Sequence, residues 1–130
     1  MDIKTEECEL VVSDRGVSYE LIKKIGMQKD VKEIMVITSK PGTSRGNHYH
    51  MKKNEWLGVI SGEARFVFVD NVTMERMEMD VSGRKPVMVH IPIGVTHTIV
   101  NTGSEDIVIL EISDHLYKED DTDTFKNKIV

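Results

Sequence analysis

An all-β fold, closed as a barrel or stacked as a double-sheet sandwich, follows from two patterns in this 130-residue chain. Apolar residues come in short runs, and nearly every run is bounded by Gly, Pro, Asn or Asp. No stretch carries an amphipathic helical period worth defending. A flat sheet of so many short strands would leave long edges exposed, and closure removes them.

The elements follow in order. VSYELI (17–22) begins after the turn SDRG, and EIMVIT (33–38), rich in β-branched residues, ends at SKPGTSRG. GNHYHM (46–51) and EWLGVI (55–60) flank the turn MKKN, and ARFVFVD (64–70) follows SGE. TMERMEM (73–79) reads as a solvated strand whose Glu and Arg alternate with Thr and methionines that fill the core or meet a second copy. PVMVHI (86–91), HTIVN (97–101) and DIVILEI (106–112) are set off by SGRK, PIGV and NTGSED. Residues 117–130 read as a polar surface tail that packs through Phe125 and Ile129. One domain, 1–130, accounts for the whole.

With 39% apolar and 30% charged residues of both signs interspersed, the chain has a globular composition. Its net charge of -5 and lack of a clustered basic face exclude a nucleic-acid surface. No apolar run reaches membrane-spanning length, which excludes a membrane helix. A single cysteine, Cys8, and a start without a signal-peptide pattern point to the cytoplasm.

The chemistry concentrates at residues 41–66. On a strand, His48 and His50 project to one side and Tyr49 to the other. A turn at MKKN returns Glu55 on a neighbouring strand, and His97, beyond the tight turn PIGV, can supply a fourth ligand. Three nitrogens and a carboxylate suit one divalent ion: zinc, nickel, manganese or iron. A histidine pair alone is an ordinary solvated feature, so the weight rests on the remaining spacing.

Gly42, His48, His50, Glu55 and Gly62 satisfy G(X)5HXH(X)4E(X)6G, and Pro92, Gly94, His97 and Asn101 satisfy PXG(X)2H(X)3N. These are the two motifs of the cupin superfamily, which the chain therefore resembles. One departure stands out, since Pro86 occupies the place of the Gly that ordinarily opens the second motif. The resemblance implies a double-stranded β-barrel of jelly-roll type, with His48, His50, Glu55 and His97 holding a metal in its lumen. Asn101 is expected to satisfy backbone groups rather than touch substrate.

DRG (14–16), SKPGTSRGNHYH (39–50), ISGEA (60–64) and DTDTF (121–125) look like the C-terminal cupin domain of capsular-polysaccharide nucleotide-sugar reductase and epimerase proteins. Metal-free sugar ketoisomerases are a more distant likeness. The first resemblance implies an epimerase or isomerase of a 4-keto nucleotide sugar, with zinc favoured, and the chain corresponds to the cupin part alone. Arg45 and Asn47 then become substrate contacts, Arg45 to the diphosphate, with Lys53 beside the ligand turn as a third. Glu111, the ionisable residue of IVILEI, is the candidate base if it faces the lumen, and an ordinary surface acid if it faces outward. Tyr49 and Trp56, turned from the ligands, pack on another layer or a partner chain. A homodimer is expected, through ELVVS or MERMEM. Two other readings remain open: a metal-dependent dioxygenase of a small organic substrate, and a non-catalytic sugar- or metal-binding cupin.

Overall fold

Each strand of alternating pattern carries one apolar face that only a second layer can cover. The computed structural model describes residues 1–22, 30–120 and 122–130, and twelve strands lie among them. These are β1 (Lys4–Glu7), β2 (Glu9–Ser13), β3 (Gly16–Glu20), β4 (Glu33–Ser39), β5 (Ser44–Tyr49) and β6 (Glu55–Ser61). There follow β7 (Glu63–Asp70), β8 (Arg76–Ser82), β9 (Val87–Ile91), β10 (Val95–Asn101), β11 (Ile107–Ser113) and β12 (Phe125–Lys126). One sheet has the order β1-β9-β6-β11-β4 and the other β12-β5-β10-β7-β8, and their strands pair antiparallel throughout. Two facing sheets of a jelly roll result, as the sequence predicts. β2 and β3 form a separate ribbon with every residue exposed. Among the described residues there is no helix long and apolar enough to cross a membrane.

The core fills from both sheets. Leu57, Val59, Val89, Ile91, Ile107 and Ile109 come from one, and Ala64, Phe66, Phe68, Val95 and Ile99 from the other. Phe66 and Phe68, both 0% exposed, lie on one face of β7 and stack with ring centres 5.6 Å apart. The outer face of the first sheet has a smaller cluster of Cys8, Trp56 and Met88, covered by Leu21 and Ile22. Cys8 is firmly held: its amide donates to the Pro86 carbonyl, β1 before it pairs with β9, and burial pushes the thiol pKa up. Trp56 stacks on His90 and Tyr49 on Phe125, each its register neighbour in its own sheet, so these rings turn from the ligands as parity predicts but stack within their sheets instead of on another layer.

Two expectations are corrected. The strand expected over 73–79 begins at Arg76, because Asp70 takes the chain through a turn first. Its Oδ1 accepts the amides of Val72 and Thr73, its carbonyl accepts that of Met74, and Met74 sits at φ 63°. Met77 and Met79 pack against the core as expected, whereas Met74 is exposed. The stretch read as a polar tail is in part an edge strand, since Phe125 and Lys126 pair with Tyr49 and His48 of β5. Its packing through Phe125 is as expected.

Phe68 has no room to be replaced by a smaller group without a void. Phe68→Ala is expected to lower the unfolding free energy by about 3–5 kcal/mol in urea titration. A loss of under about 1 kcal/mol would mean that the two sheets close over the gap.

Candidate metal centre

The two motif histidine sites meet because β5 pairs with β10. His48 lies opposite His97, and the next pair is Gly46 with Thr98, so Asn47 is an extra residue bulged out of the ladder at φ 56°. That bulge is possible because Gly46 takes φ 119° and approaches β10 closely: a Cβ there would lie 2.5 Å from the His97 carbonyl oxygen. The two turns also lock together, as the Gly94 amide donates to the His50 carbonyl at 2.7 Å. Asn101 binds the carbonyls of Ser39 and Glu105 and accepts the Gly103 amide, the backbone role expected of it.

His48, His50 and His97 converge so that one ring nitrogen from each lies within 4.8 Å of the others. Glu55, 3% exposed, places Oε1 2.8 Å from His50 Nε2 and Oε2 3.1 Å from His97 Nε2. The other ring nitrogens are already committed: His50 Nδ1 to the Asp123 carbonyl at 2.7 Å and His97 Nδ1 to the Val95 carbonyl at 3.2 Å. A carbonyl cannot donate, so each Nδ1 carries the proton and each Nε2 of a neutral ring presents a lone pair. The short His50–Glu55 contact is an ionic approach and not an aligned hydrogen bond, for His50 Nε2 is buried without a well-directed partner. Two lone-pair nitrogens facing a carboxylate repel unless a cation stands between them, a proton or a metal ion. The donor set therefore fits a divalent ion bound by the three imidazoles with Glu55 beside them.

The electrostatics agree with a site built around positive charge. Burial opposes charge on Glu55, but the close approach of His50 and His97, in the form in which these rings carry positive charge, outweighs it and holds the carboxyl well below the usual range. Burial likewise opposes protonation of His50, yet the contact with Glu55 prevails and its pKa rises. His48 behaves oppositely: burial, reinforced by the other two imidazoles, pushes its pKa down to about 4.

A cavity of about 760 Å³ opens over this cluster. Its floor is aliphatic, made by Leu57, Ile99 and Ile109, and its rim carries Met35, Val36, Thr38, Arg45 and Tyr117. Glu111 faces the lumen, 7% exposed, which settles the orientation that the sequence left open. Lys53 bridges the two acids, Nζ lying 3.0 Å from Glu55 and 3.1 Å from Glu111. Burial first, and then the negative Glu55, raise the Glu111 pKa to about 7. Burial lowers that of Lys53, but the two carboxylates outweigh it.

Of the residues assigned to substrate, Lys53 and Arg45 line the cavity and Asn47 does not. Arg45 is exposed and directs Nε and Nη2 to the Thr38 carbonyl at the rim. Asn47 instead turns its side chain, from the bulge, to the segment 129–130, whose two amides it accepts. Sequence reasoning gave no role to Asp123, which lies in the run DTDTF; the first residue of that run, Asp121, is outside the described residues. Tyr117 and Thr124 at the cavity wall were also missed, since no periodicity marks them.

Residues 12–125 match the family model described as polysaccharide biosynthesis C-terminal domain. The chain is 33% identical over 111 residues to the UDP-2-acetamido-2,6-beta-L-arabino-hexul-4-ose reductase of Pseudomonas aeruginosa, covering 85% of this chain and 29% of that protein. It is 35% identical to the solved capsular polysaccharide assembling protein CapF from Staphylococcus aureus, with TM-score 0.74 over 94% of this chain and 34% of that one. The chain thus spans about a third of the length of these relatives. A likeness of fold, at 20% identity and TM-score 0.81, extends to dTDP-6-deoxy-D-glucose-3,5-epimerase RmlC from Legionella pneumophila, over 95% of this chain and 71% of that one.

The closeness of β5 to β10 at Gly46 sets the spacing of the imidazoles. Gly46→Ala is expected to cost about 1–3 kcal/mol in urea unfolding, from its backbone angle and the clash together. Wild-type stability in that variant would show the two strands free to part.

Proposed function

The chain belongs to the polysaccharide biosynthesis C-terminal domain family, and from that premise we propose that it is a metal-dependent epimerase or isomerase of a 4-keto nucleotide sugar. The observation that carries this reading is one cavity holding both an imidazole cluster fit for a cation and, beside it, a carboxyl whose pKa is raised to about 7. The Pseudomonas relative, by its name a reductase of a nucleotide-linked hexul-4-ose, supports the substrate class.

His48, His50, Glu55 and His97 would hold the ion, with zinc favoured. What a divalent ion supplies at this place is positive charge next to a carbonyl oxygen. Glu111, as carboxylate, takes the proton from the carbon beside the 4-keto group, and the C–H electron pair moves toward the carbonyl oxygen. Lys53 keeps that carboxylate oriented and balances its charge. Inversion follows when a proton returns to the opposite face, delivered from solvent through the open rim. Arg45 lies where it can meet the diphosphate once it leaves Thr38.

A cytoplasmic protein acting as a homodimer completes the reading. The ribbon of β2 and β3 supports the second copy, because Leu10, Val12, Val17 and Tyr19 lie on its one face and all are exposed.

In deuterated water with zinc bound, the protein is expected to wash deuterium into the carbon next to the keto group of a 4-keto nucleotide sugar, read by mass spectrometry. Glu111→Gln should slow that exchange by about 10²–10⁴-fold while leaving zinc content unchanged. Absence of exchange with every keto-sugar nucleotide tried would remove the proposal. Iron-dependent oxygen uptake would put a dioxygenase in its place.

A further inference from the structure

We propose that Asp123 is a positioning residue for the metal cluster, acting from a strap, residues 123–130, that fixes the His50 ring and the turn carrying Lys53. The inference rests on the reading that the imidazoles hold a divalent ion.

Asp123 is 7% exposed and works at both ends of its residue. Its carbonyl accepts His50 Nδ1 at 2.7 Å, which leaves Nε2 with the free lone pair. Its carboxylate accepts the next three amides in the chain. Oδ1 takes Met51 at 2.9 Å and Lys52 at 3.1 Å, and Oδ2 takes Lys52 at 2.9 Å and Lys53 at 2.8 Å. A carboxylate suits this place because only two acceptor oxygens on one carbon can gather three successive N–H groups. The chain leaving His50 is thereby turned so that Lys53 enters the cavity.

The rest of the strap reaches the neighbours of the other two imidazoles. Lys126 pairs with His48, and the Asn127 amide donates to the Asn47 carbonyl at 2.8 Å. The Asn127 side chain donates to Thr96 Oγ1 at 2.9 Å, one residue before His97. Asn47 Oδ1, beside His48, closes the end by accepting the Ile129 and Val130 amides at 2.9 and 3.1 Å. One segment thus touches the His50 ring and the immediate neighbours of His48 and His97. Its side chains contribute none of the converging ring nitrogens, which makes it a frame for the ligands and not a ligand itself.

The test uses the full chain with zinc alone, titrated against a chromophoric competitor, together with nitrogen-15 spectra of the imidazoles in zinc-free protein. Asp123→Ala keeps the carbonyl but removes the carboxylate that ties it to residues 51–53, and the released strap is expected to weaken zinc binding by about 10–100-fold and to move His50 away from the Nδ1–H tautomer. Asp123→Asn, which keeps one acceptor oxygen, should fall between, and it carries both readouts if the alanine variant fails to fold. Ile107→Val, which loosens the core away from the strap, should leave zinc affinity and His50 unchanged. Zinc affinity within about two-fold of wild type and unmoved His50 nitrogens in the Asp123 variants would overturn the proposal. Should the wild type itself take up no zinc, the metal reading falls, and the zinc-free spectra still decide: a His50 tautomer that shifts on substitution upholds the positioning role, and one that stays overturns it.

Discussion

The cross-strand pairing of β5 with β10 is the constraint on which the site depends. His48 and His97 are remote in sequence, and only the register of this one pair sets them opposite each other. Strand parity makes that register unforgiving, since a slip of one residue would turn the ligand side chains to the other face. The bulge at Asn47 and the close approach at Gly46 pin it locally, and the Gly94–His50 hydrogen bond pins it from the turn. The remaining members of the cluster arrive on the facing sheet, Glu55 on β6 and Glu111 on β11, strands that themselves pair Glu111 with Leu57 and Ser113 with Glu55.

A stability-minded interior would not gather three imidazoles, two carboxylates and an ammonium. Removing such groups from water costs free energy that their mutual attraction returns only with good geometry. Here the geometry sorts them into two unlike sets. Glu55 is held ionised by His50 and His97, while Glu111, sharing Lys53 with it, is pushed toward protonation. Two carboxyls set apart in this way, facing one cavity, are the arrangement that acid–base work on a bound substrate needs.

Much of this was legible in the sequence. The nine motif residues gave the jelly roll and the four positions of the cluster, and Gly42, Gly62 and Gly94 adopt φ of 74°, 90° and 77°, as turns of their kind require. Boundaries failed where a side chain redirected the backbone, as Asp70 does before β8. The facing of Glu111 was unreadable because β11 is apolar on both faces, so alternation carried no sign there. The contacts of Asn47 with residues 129 and 130 were unreadable because its place came from the likeness of its surroundings, which carries no sign of a bulge, and Asp123 escaped because its partners lie some seventy positions away at Met51 and Lys53. Non-local hydrogen bonds of that sort leave no periodic trace in a sequence.

The aliphatic floor of the cavity has a consequence beyond packing. On β6, β10 and β11 the inward sequence steps from a titratable group to an aliphatic one within two residues: Glu55 to Leu57, His97 to Ile99, Glu111 to Ile109. The steps are staggered, since Leu57 lies beside Glu111 on the β6–β11 pair while His97 and Ile99 sit on the facing sheet, so aliphatic side chains stand next to titratable ones with nothing between. Such a layer works as a dielectric wall, and its integrity sets how strongly the charges above it feel one another. Shortening any of the three aliphatics would bring solvent closer to the cluster, and the change would register in the acidity of Glu111 and Glu55 as well as in the stability of the core those aliphatics belong to.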